Sequence, residues 1–366
     1  MQMNPRLTDL RCIRCATLWA PGDYAEGCPS CLAAGHPATL ECRYDATESG
    51  NVMPLPVLQA VTLGEGDTPC LEAPDLADAE GIGKLWLKCE SANPTGSHKD
   101  RMAAQLISRA LLAGATRVAA ASSGNAGVSI AAYCAAAGLQ ADIAITQNCP
   151  PLQREAMERF GARLRAFEES LARWPYVEDL CRNHGAFAGT NYLNPPVGTH
   201  PYGVEGYKPI ATEILNVCAM PTDIIVPTAR GDLLWGILLG WQHLLQSGRI
   251  ARLPRLHAVE PYARLSRARA TGDARGLWES ATQQYSIAGG TCTLQSLEAL
   301  ARSGGTPVDV SDAAAAAAQQ RLERRGISTE LSSAAALAAV SQLRRSGVLD
   351  AESSVVLMLT SDGRRG

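Results

Sequence analysis

From residue 85 onward, short apolar runs bounded by turn-forming residues alternate with amphipathic stretches of helical period. Residues 118–121, 141–145, 163–167, 223–227, 256–259 and 355–359 read as strands. Residues 152–160, 171–182, 204–216, 233–246, 313–324 and 333–345 read as helices, as do the alanine-rich stretches 102–112 and 126–137. Apolar strands alternating with helices predict an α/β chain whose parallel sheets are covered by helices on both faces. The stretch 118–141 carries no charge and is long enough to span a bilayer. Ser122, Ser123, Gly124, Asn125 and Gly127 interrupt it, so it reads instead as a strand, a polar turn and a buried helix. The alanine run 313–318 reads as a tight helix-packing face, and there is no internal repeat or long linker.

Residues 8–45 break this pattern. They are punctuated by Pro21, Gly22, Gly27, Pro29 and Gly35, and hold Cys12-x-x-Cys15 and Cys28-x-x-Cys31 with twelve residues between the pairs. Thiolates at this spacing on two turns can close a tetrahedral zinc site, and metal binding would supply the folding energy that so small a segment lacks. A structural zinc ribbon over residues 1–45 is therefore expected, with a disulfide or free thiols as the alternative. Four thiolates leave no open coordination position for catalysis. The other eight cysteines stand singly and read as free thiols of a reducing compartment.

Length and composition fit a globular enzyme acting on small molecules. The 366 residues carry a net charge of −3 and are 46% hydrophobic, so neither a nucleic-acid patch nor an acidic tail is indicated. Arg6, Arg11 and Arg14 form only a thin basic cluster beside acidic residues. Residues 1–10 lack the apolar core of a secretory signal, and a cytoplasmic location without membrane association is expected.

Chemistry concentrates in a few motifs. Asn93-Pro94-Thr95-Gly96-Ser97-His98-Lys99-Asp100-Arg101 places a lysine on a Gly/Ser turn that opens onto a helix, where it could form a Schiff base. Ser122-Ser123-Gly124-Asn125 follows a strand and opens the next helix, a place where backbone N–H groups hold a carboxylate or phosphate. Gly64-Glu65-Gly66-Asp67-Thr68-Pro69, residues 205–214 (EGYKPIATEI) and residues 326–334 (GISTELSSA) complete an ordered series along the chain. In order and spacing these motifs resemble the fold type II family of pyridoxal phosphate (PLP) enzymes, and within it the threonine synthases.

The resemblance implies two doubly wound parallel-sheet domains behind an N-terminal zinc ribbon of the kind many threonine synthases carry. A small mobile domain would run over residues 100–200, a large PLP-binding domain would combine 46–99 with 201–366, and the active site would lie between them. Lys99 would hold PLP and act as catalytic base, and Asn125 would bond the ring hydroxyl. Ser122, Ser123 and Gly124 would take the substrate carboxylate, and Thr360, or failing it Ser361, would face the pyridine nitrogen. The phosphate would sit on Ala229, Arg230, Gly231, Asp232 and Leu233. A homodimer is the usual assembly of this fold type.

The chain departs from the family at three places. The loop 228–233 keeps Gly231 alone of the usual glycines, His98 stands where threonine synthases usually show phenylalanine, and Ser361-Asp362 replaces the usual Gly-His. The first expected reaction is conversion of O-phospho-L-homoserine and water to L-threonine and phosphate, with Lys208, Arg101 and Arg154 as candidates for the second phosphate. The departures favour an alternative, β-elimination or β-replacement on a serine, threonine or O-phosphoserine type of amino acid. A scaffold without cofactor is disfavoured by the presence of Lys99, Asn125 and the 122–124 turn.

Overall fold

The structure, a computed structural model, describes residues 1–45 and 53–363. The expected start of the large domain at residue 46 falls outside the described residues. The chain forms two compact units, Met1–Glu65 with Lys99–Tyr207, and Gly66–His98 with Lys208–Gly366. Among the described residues no helix is long and apolar enough to cross a membrane.

The first unit is built on a four-stranded parallel sheet in the order Arg163–Phe167, Gln140–Thr146, Arg117–Ala121, Phe187–Ala188. The uncharged stretch resolves as strand Arg117–Ala121, a turn and helix Asn125–Ala137. Strand order reverses at Arg117–Ala121, whose neighbours run on to Arg163–Phe167 on one side and Phe187–Ala188 on the other. Ligands of open α/β sheets bind outside the carboxyl ends of strands at such a switch point. The turn from Ser122 to Asn125 occupies that position.

The N-terminal segment belongs to this unit. Leu7–Cys12 pairs antiparallel with Leu18–Trp19 and Leu40–Tyr44. Asp23 accepts both 2.7 Å bonds of the Arg109 guanidinium, and Tyr44 donates to Glu205 at 2.8 Å. Residues 53–65 group here too, whereas the sequence reading gave them to the large domain: Val57–Leu58 pairs with Gln2–Met3, and Val61 donates its N–H to Ser108.

The second unit carries a six-stranded sheet in the order Pro307–Asp309, Arg255–Glu260, Asp223–Pro227, Ser354–Leu359, Lys84–Cys89, Cys70–Glu72. All neighbours are parallel except Cys70–Glu72, an antiparallel edge. Leu85, Leu87, Ile225, Val259, Leu357 and Leu359 are buried in its core, each such side chain contributing about 1.5–3 kcal/mol. The alanine run packs as expected: Ala315 and Ala318 of helix Asp312–Glu323 join the core with Ala334 to Ala336 of helix Leu331–Arg345. Strand order reverses between Asp223–Pro227 and Ser354–Leu359, so loop 228–231 and residues 360–361 leave adjacent strands at a second switch point.

The stretch 204–216, expected as one helix, is two: Pro201–Glu205 in the first unit and Pro209–Cys218 in the second. Pro209 has no N–H for the bond that continuity requires. Gly206 lies against the backbone, where a Cβ would stand 2.0 Å from the Arg101 carbonyl oxygen.

Candidate active site

In the first unit, Lys99 is the half-buried first residue of helix Lys99–Leu112. Met102, Ala103, Leu106, Ile107 and Ala110 are buried and fix this helix in the core. The Lys99 Nζ lies 6.0 Å from the centre of the Tyr207 ring, at the limit of a cation–π contact. Asp100 is fully buried in the first turn, where a carboxylate suits the helix dipole, and accepts a 2.6 Å bond from Ser129 of helix Asn125–Ala137. Glu65, from the Gly-Glu-Gly motif, accepts from Tyr133 of that same helix and from the Leu63 N–H. Burial, with the bond to Glu65, pushes the Tyr133 phenol well above its ordinary pKa and keeps it a donor.

The turn at the carboxyl end of Arg117–Ala121 is held by its own hydroxyls. Ser122 Oγ accepts the N–H of Gly127 at 3.0 Å and that of Gly124 at 3.3 Å, and helix Asn125–Ala137 has no side-chain N-cap. Ser123 Oγ is occupied differently. It accepts from the Thr146 N–H at 2.7 Å, lies 2.8 Å from Thr146 Oγ1 and accepts from Arg173 at 3.3 Å. The Ser123 hydroxyl is thus engaged by a strand end and by a guanidinium from helix Arg173–Asn183. Neither Thr146 nor Arg173 was found from sequence, because no local pattern links them to residue 123.

In the second unit, loop 228–231 joins strand Asp223–Pro227 to helix Asp232–Gln246. Gly231 has φ +86°, a left-handed conformation, and a Cβ there would lie 2.5 Å from Ser296 Cβ. This is the physical reason that one glycine of the loop is kept. Asp232 Oδ1 accepts from Gln295 at 2.5 Å, and Thr293 Oγ1 donates to the Arg230 carbonyl at 2.6 Å. Beneath the loop, the fully buried Arg264 donates to the carbonyls of Thr228, at 2.8 Å, and of Gly289. Burial lowers the pKa of both Arg230 and Arg264; Asp232 opposes this for Arg230 and Glu260 for Arg264. Arg230 and Arg264 stand near this helix N-terminus with two carboxylates, Asp232 and Glu260, beside them. The roles of Arg264 and Glu260 had no signal in the sequence.

At the end of the neighbouring strand Ser354–Leu359, the motif 326–334 shows its purpose. Ser333 Oγ accepts the Thr360 N–H at 2.7 Å, and Ser361 O accepts from Thr329 Oγ1 and the Glu330 N–H. The Thr360 carbonyl accepts the His98 N–H at 2.9 Å and lies 3.1 Å from His98 Nδ1, while Ser97 bridges to Ser361. The residue before Lys99 is thereby tied to the strand end. Ser361 is 1% exposed, and its Oγ has no hydrogen-bond partner among the described residues. A buried hydroxyl left without a partner costs about 1–3 kcal/mol.

Motif 205–214 supports the interior of the same unit: Glu213 accepts from Lys88 Nζ at 2.5 Å and from the Asp67 N–H at 3.2 Å. Of the three basic residues named for a second phosphate, Lys208 and Arg101 are each 3% exposed, and Arg154 lies half-buried on helix Pro151–Arg159.

Cys12, Cys15, Cys28 and Cys31 converge, with all Sγ atoms within 4.8 Å of one another. Cys12 and Cys31, and Cys15 and Cys28, are each 3.7 Å apart. Tetrahedral Zn–S bonds of ~2.3 Å set sulfurs about 3.8 Å apart, so the donor set and spacing fit zinc.

The family described as pyridoxal-phosphate dependent enzyme matches residues 61–361. The threonine synthase of Methanosarcina acetivorans is 28% identical over 351 residues, covering 88% of this chain and 83% of that protein. The threonine synthase of Halalkalibacterium halodurans is 28% identical over 306 residues, covering 83% and 84%. Among solved structures, maize serine racemase aligns with a TM-score of 0.72 at 20% identity, over 81% of this chain and 88% of that one. A fungal L-serine ammonia-lyase from Rhizomucor miehei aligns at 0.69 and 22% identity, over 83% and 95%. At such identities the structural likeness speaks for the fold. With the family match spanning both units, the chain belongs to the pyridoxal-phosphate dependent enzymes, as a threonine synthase-like member of fold type II.

Proposed function

We propose that this enzyme converts O-phospho-L-homoserine and water to L-threonine and phosphate. The observation that carries this reading is Arg173 bonded to Ser123 in the turn assigned to the substrate carboxylate. This guanidinium, also held by Ser170 O at 2.9 Å and Ser170 Oγ at 2.6 Å, would bring positive charge near an amino acid gripped there by its carboxylate. The threonine synthases similar over most of this chain point the same way.

The residues present fit PLP. The buried Ser361 hydroxyl, which has no partner among the described residues, and the switch-point loop with Arg230 would offer donors to a ring nitrogen and a phosphate. When bound, PLP supplies an electron sink for negative charge at the carbon bearing the amino group. Lys99 would hold PLP through its Nζ and would serve as the base for the proton at substrate Cα. Asn125 would bond the ring hydroxyl, and the 122–124 turn would take the substrate carboxylate. The N–H groups of 229–233 would hold the cofactor phosphate, with Arg230 adding charge. Asp232 Oδ1 is engaged by Gln295, an arrangement compatible with a phosphate on the neighbouring N–H groups. Thr360 would face the ring nitrogen, with the Ser361 hydroxyl as the alternative donor. Zinc on the four ribbon thiolates is structural.

Arg230 and Asp232, in a loop that keeps Gly231 alone of the family's usual glycines, favour a second reading, β-elimination or β-replacement on a serine, threonine or O-phosphoserine type of amino acid. The PLP-loaded enzyme is given O-phospho-L-homoserine and O-phospho-L-serine separately, and phosphate and amino-acid products are measured. Phosphate release with threonine from the first substrate supports the proposal; turnover of O-phospho-L-serine alone replaces it with the second reading.

A further inference from the structure

Two thiols from distant parts of the sequence meet in the second unit. Cys70 opens edge strand Cys70–Glu72, Cys218 ends helix Pro209–Cys218, and their Sγ atoms lie 3.0 Å apart across a separation of 148 residues. Small side-chain rotations bring such atoms to the ~2.05 Å of a disulfide bond. The two thiols differ in access. Cys70 is partly exposed on the sheet edge, whereas Cys218 is 5% exposed.

Their surroundings divide the chemistry between them. Lys88 is the cross-strand partner of Cys70, and its ammonium is fixed by Thr68 O at 2.6 Å and Glu213 Oε2 at 2.5 Å. The hydrogen bond with Cys218, and then the Lys88 charge, lower the pKa of Cys70 against the effect of burial. The same bond and burial raise that of Cys218. A thiolate that is also accessible is the attacking sulfur in exchange.

We propose that Cys70 and Cys218 are a redox-active dithiol that closes to a disulfide by exchange with a low-molecular-weight disulfide. The Cys70 thiolate attacks one sulfur of the small disulfide, forming a mixed disulfide and releasing one small thiolate. Cys218 then gives up its proton and attacks the Cys70 sulfur, releasing the second. The balance is two protein thiols and one small disulfide giving one protein disulfide and two small thiols. The product ties the edge strand to the helix carrying Glu213, which holds both Lys88 and the Asp67 N–H of the Gly-Glu-Gly-Asp-Thr-Pro motif. This inference does not depend on which amino acid the enzyme uses.

The test treats fully reduced, folded protein with glutathione disulfide, blocks remaining thiols by alkylation and maps cysteines by mass spectrometry without reduction. The expected result is a Cys70–Cys218 cross-linked peptide, loss of two alkylatable thiols and full reversal by dithiothreitol. In Cys218→Ser the expected product is a glutathione adduct trapped on Cys70; in Cys70→Ser, Cys218 stays a thiol. Recovery of both residues as alkylated thiols in the wild type, or pairing of either with a different cysteine, overturns the proposal. The wild-type map decides the matter even if a variant fails to fold.

Discussion

Ser129 Oγ donates a 2.6 Å hydrogen bond to Asp100 Oδ1, and both residues are fully buried. Asp100 follows Lys99 in sequence, and Ser129 is on the helix that Asn125 opens. One buried bond therefore ties the helix that begins at Lys99 to the helix that begins at Asn125. Ser129→Ala leaves a buried carboxylate short of a donor. Unfolding in urea is expected to show a loss of about 1.5–3 kcal/mol, with a fall in activity because Lys99 and Asn125 lose their fixed relation.

Gly231→Ala addresses loop 229–233, proposed to hold the cofactor phosphate. The left-handed conformation alone costs a residue with a Cβ ~1–2 kcal/mol, and Ser296 stands 2.5 Å from the new atom. The variant is expected to be less stable than this figure alone gives, and to bind PLP more weakly in an absorbance titration. Unchanged PLP affinity in a folded variant would remove loop 229–233 from the cofactor site.

The ribbon cysteines predict a single zinc ion per chain in protein purified without chelators. Cys28→Ser is expected to lose the metal by elemental analysis and to open residues 8–45 to protease, while the sheets keep their far-ultraviolet signal. Zinc retained by this variant would show that the four sulfurs are not the ligands.

Acid sensitivity should follow Asp223. Burial works against its ionisation, but hydrogen bonds from His257 at 2.8 Å and Arg255 at 2.7 Å prevail and hold its pKa below the ordinary carboxylate value. A depressed folded pKa stabilises the protein above the unfolded value of ~3.9. That contribution is lost as pH falls below it, through the folded value. Asp223→Asn is expected to lower stability at pH 7 and to flatten its dependence on pH below ~4; a parallel shift of the whole acid curve would assign the effect to other carboxylates.

Much of this was legible in the chain. Apolar runs at 118–121, 223–227 and 355–359 mark central strands because strands covered on both faces carry no polar alternation. The four ribbon cysteines converge as their spacing predicts. The break between Glu205 and Pro209 was written in Gly206 and Pro209, but the helical period running through residues 204–216 masked it. The short strands Cys70–Glu72 and Pro307–Asp309 offer too few residues for a period to show. Arg173 at Ser123, and Arg264 beneath the loop, act across 50 and 36 residues, so only tertiary packing brings them into place. The partnerless Ser361 hydroxyl is likewise a property of surroundings that sequence does not display.

The most direct test of the central claim is amino-acid product analysis of PLP-loaded enzyme given O-phospho-L-homoserine, beside Lys99→Ala. Threonine and phosphate in equal amounts from the wild type, and neither from the variant, is the predicted result. A wild type that retains PLP but yields no threonine would contradict it, as would a Lys99→Ala variant of undiminished activity.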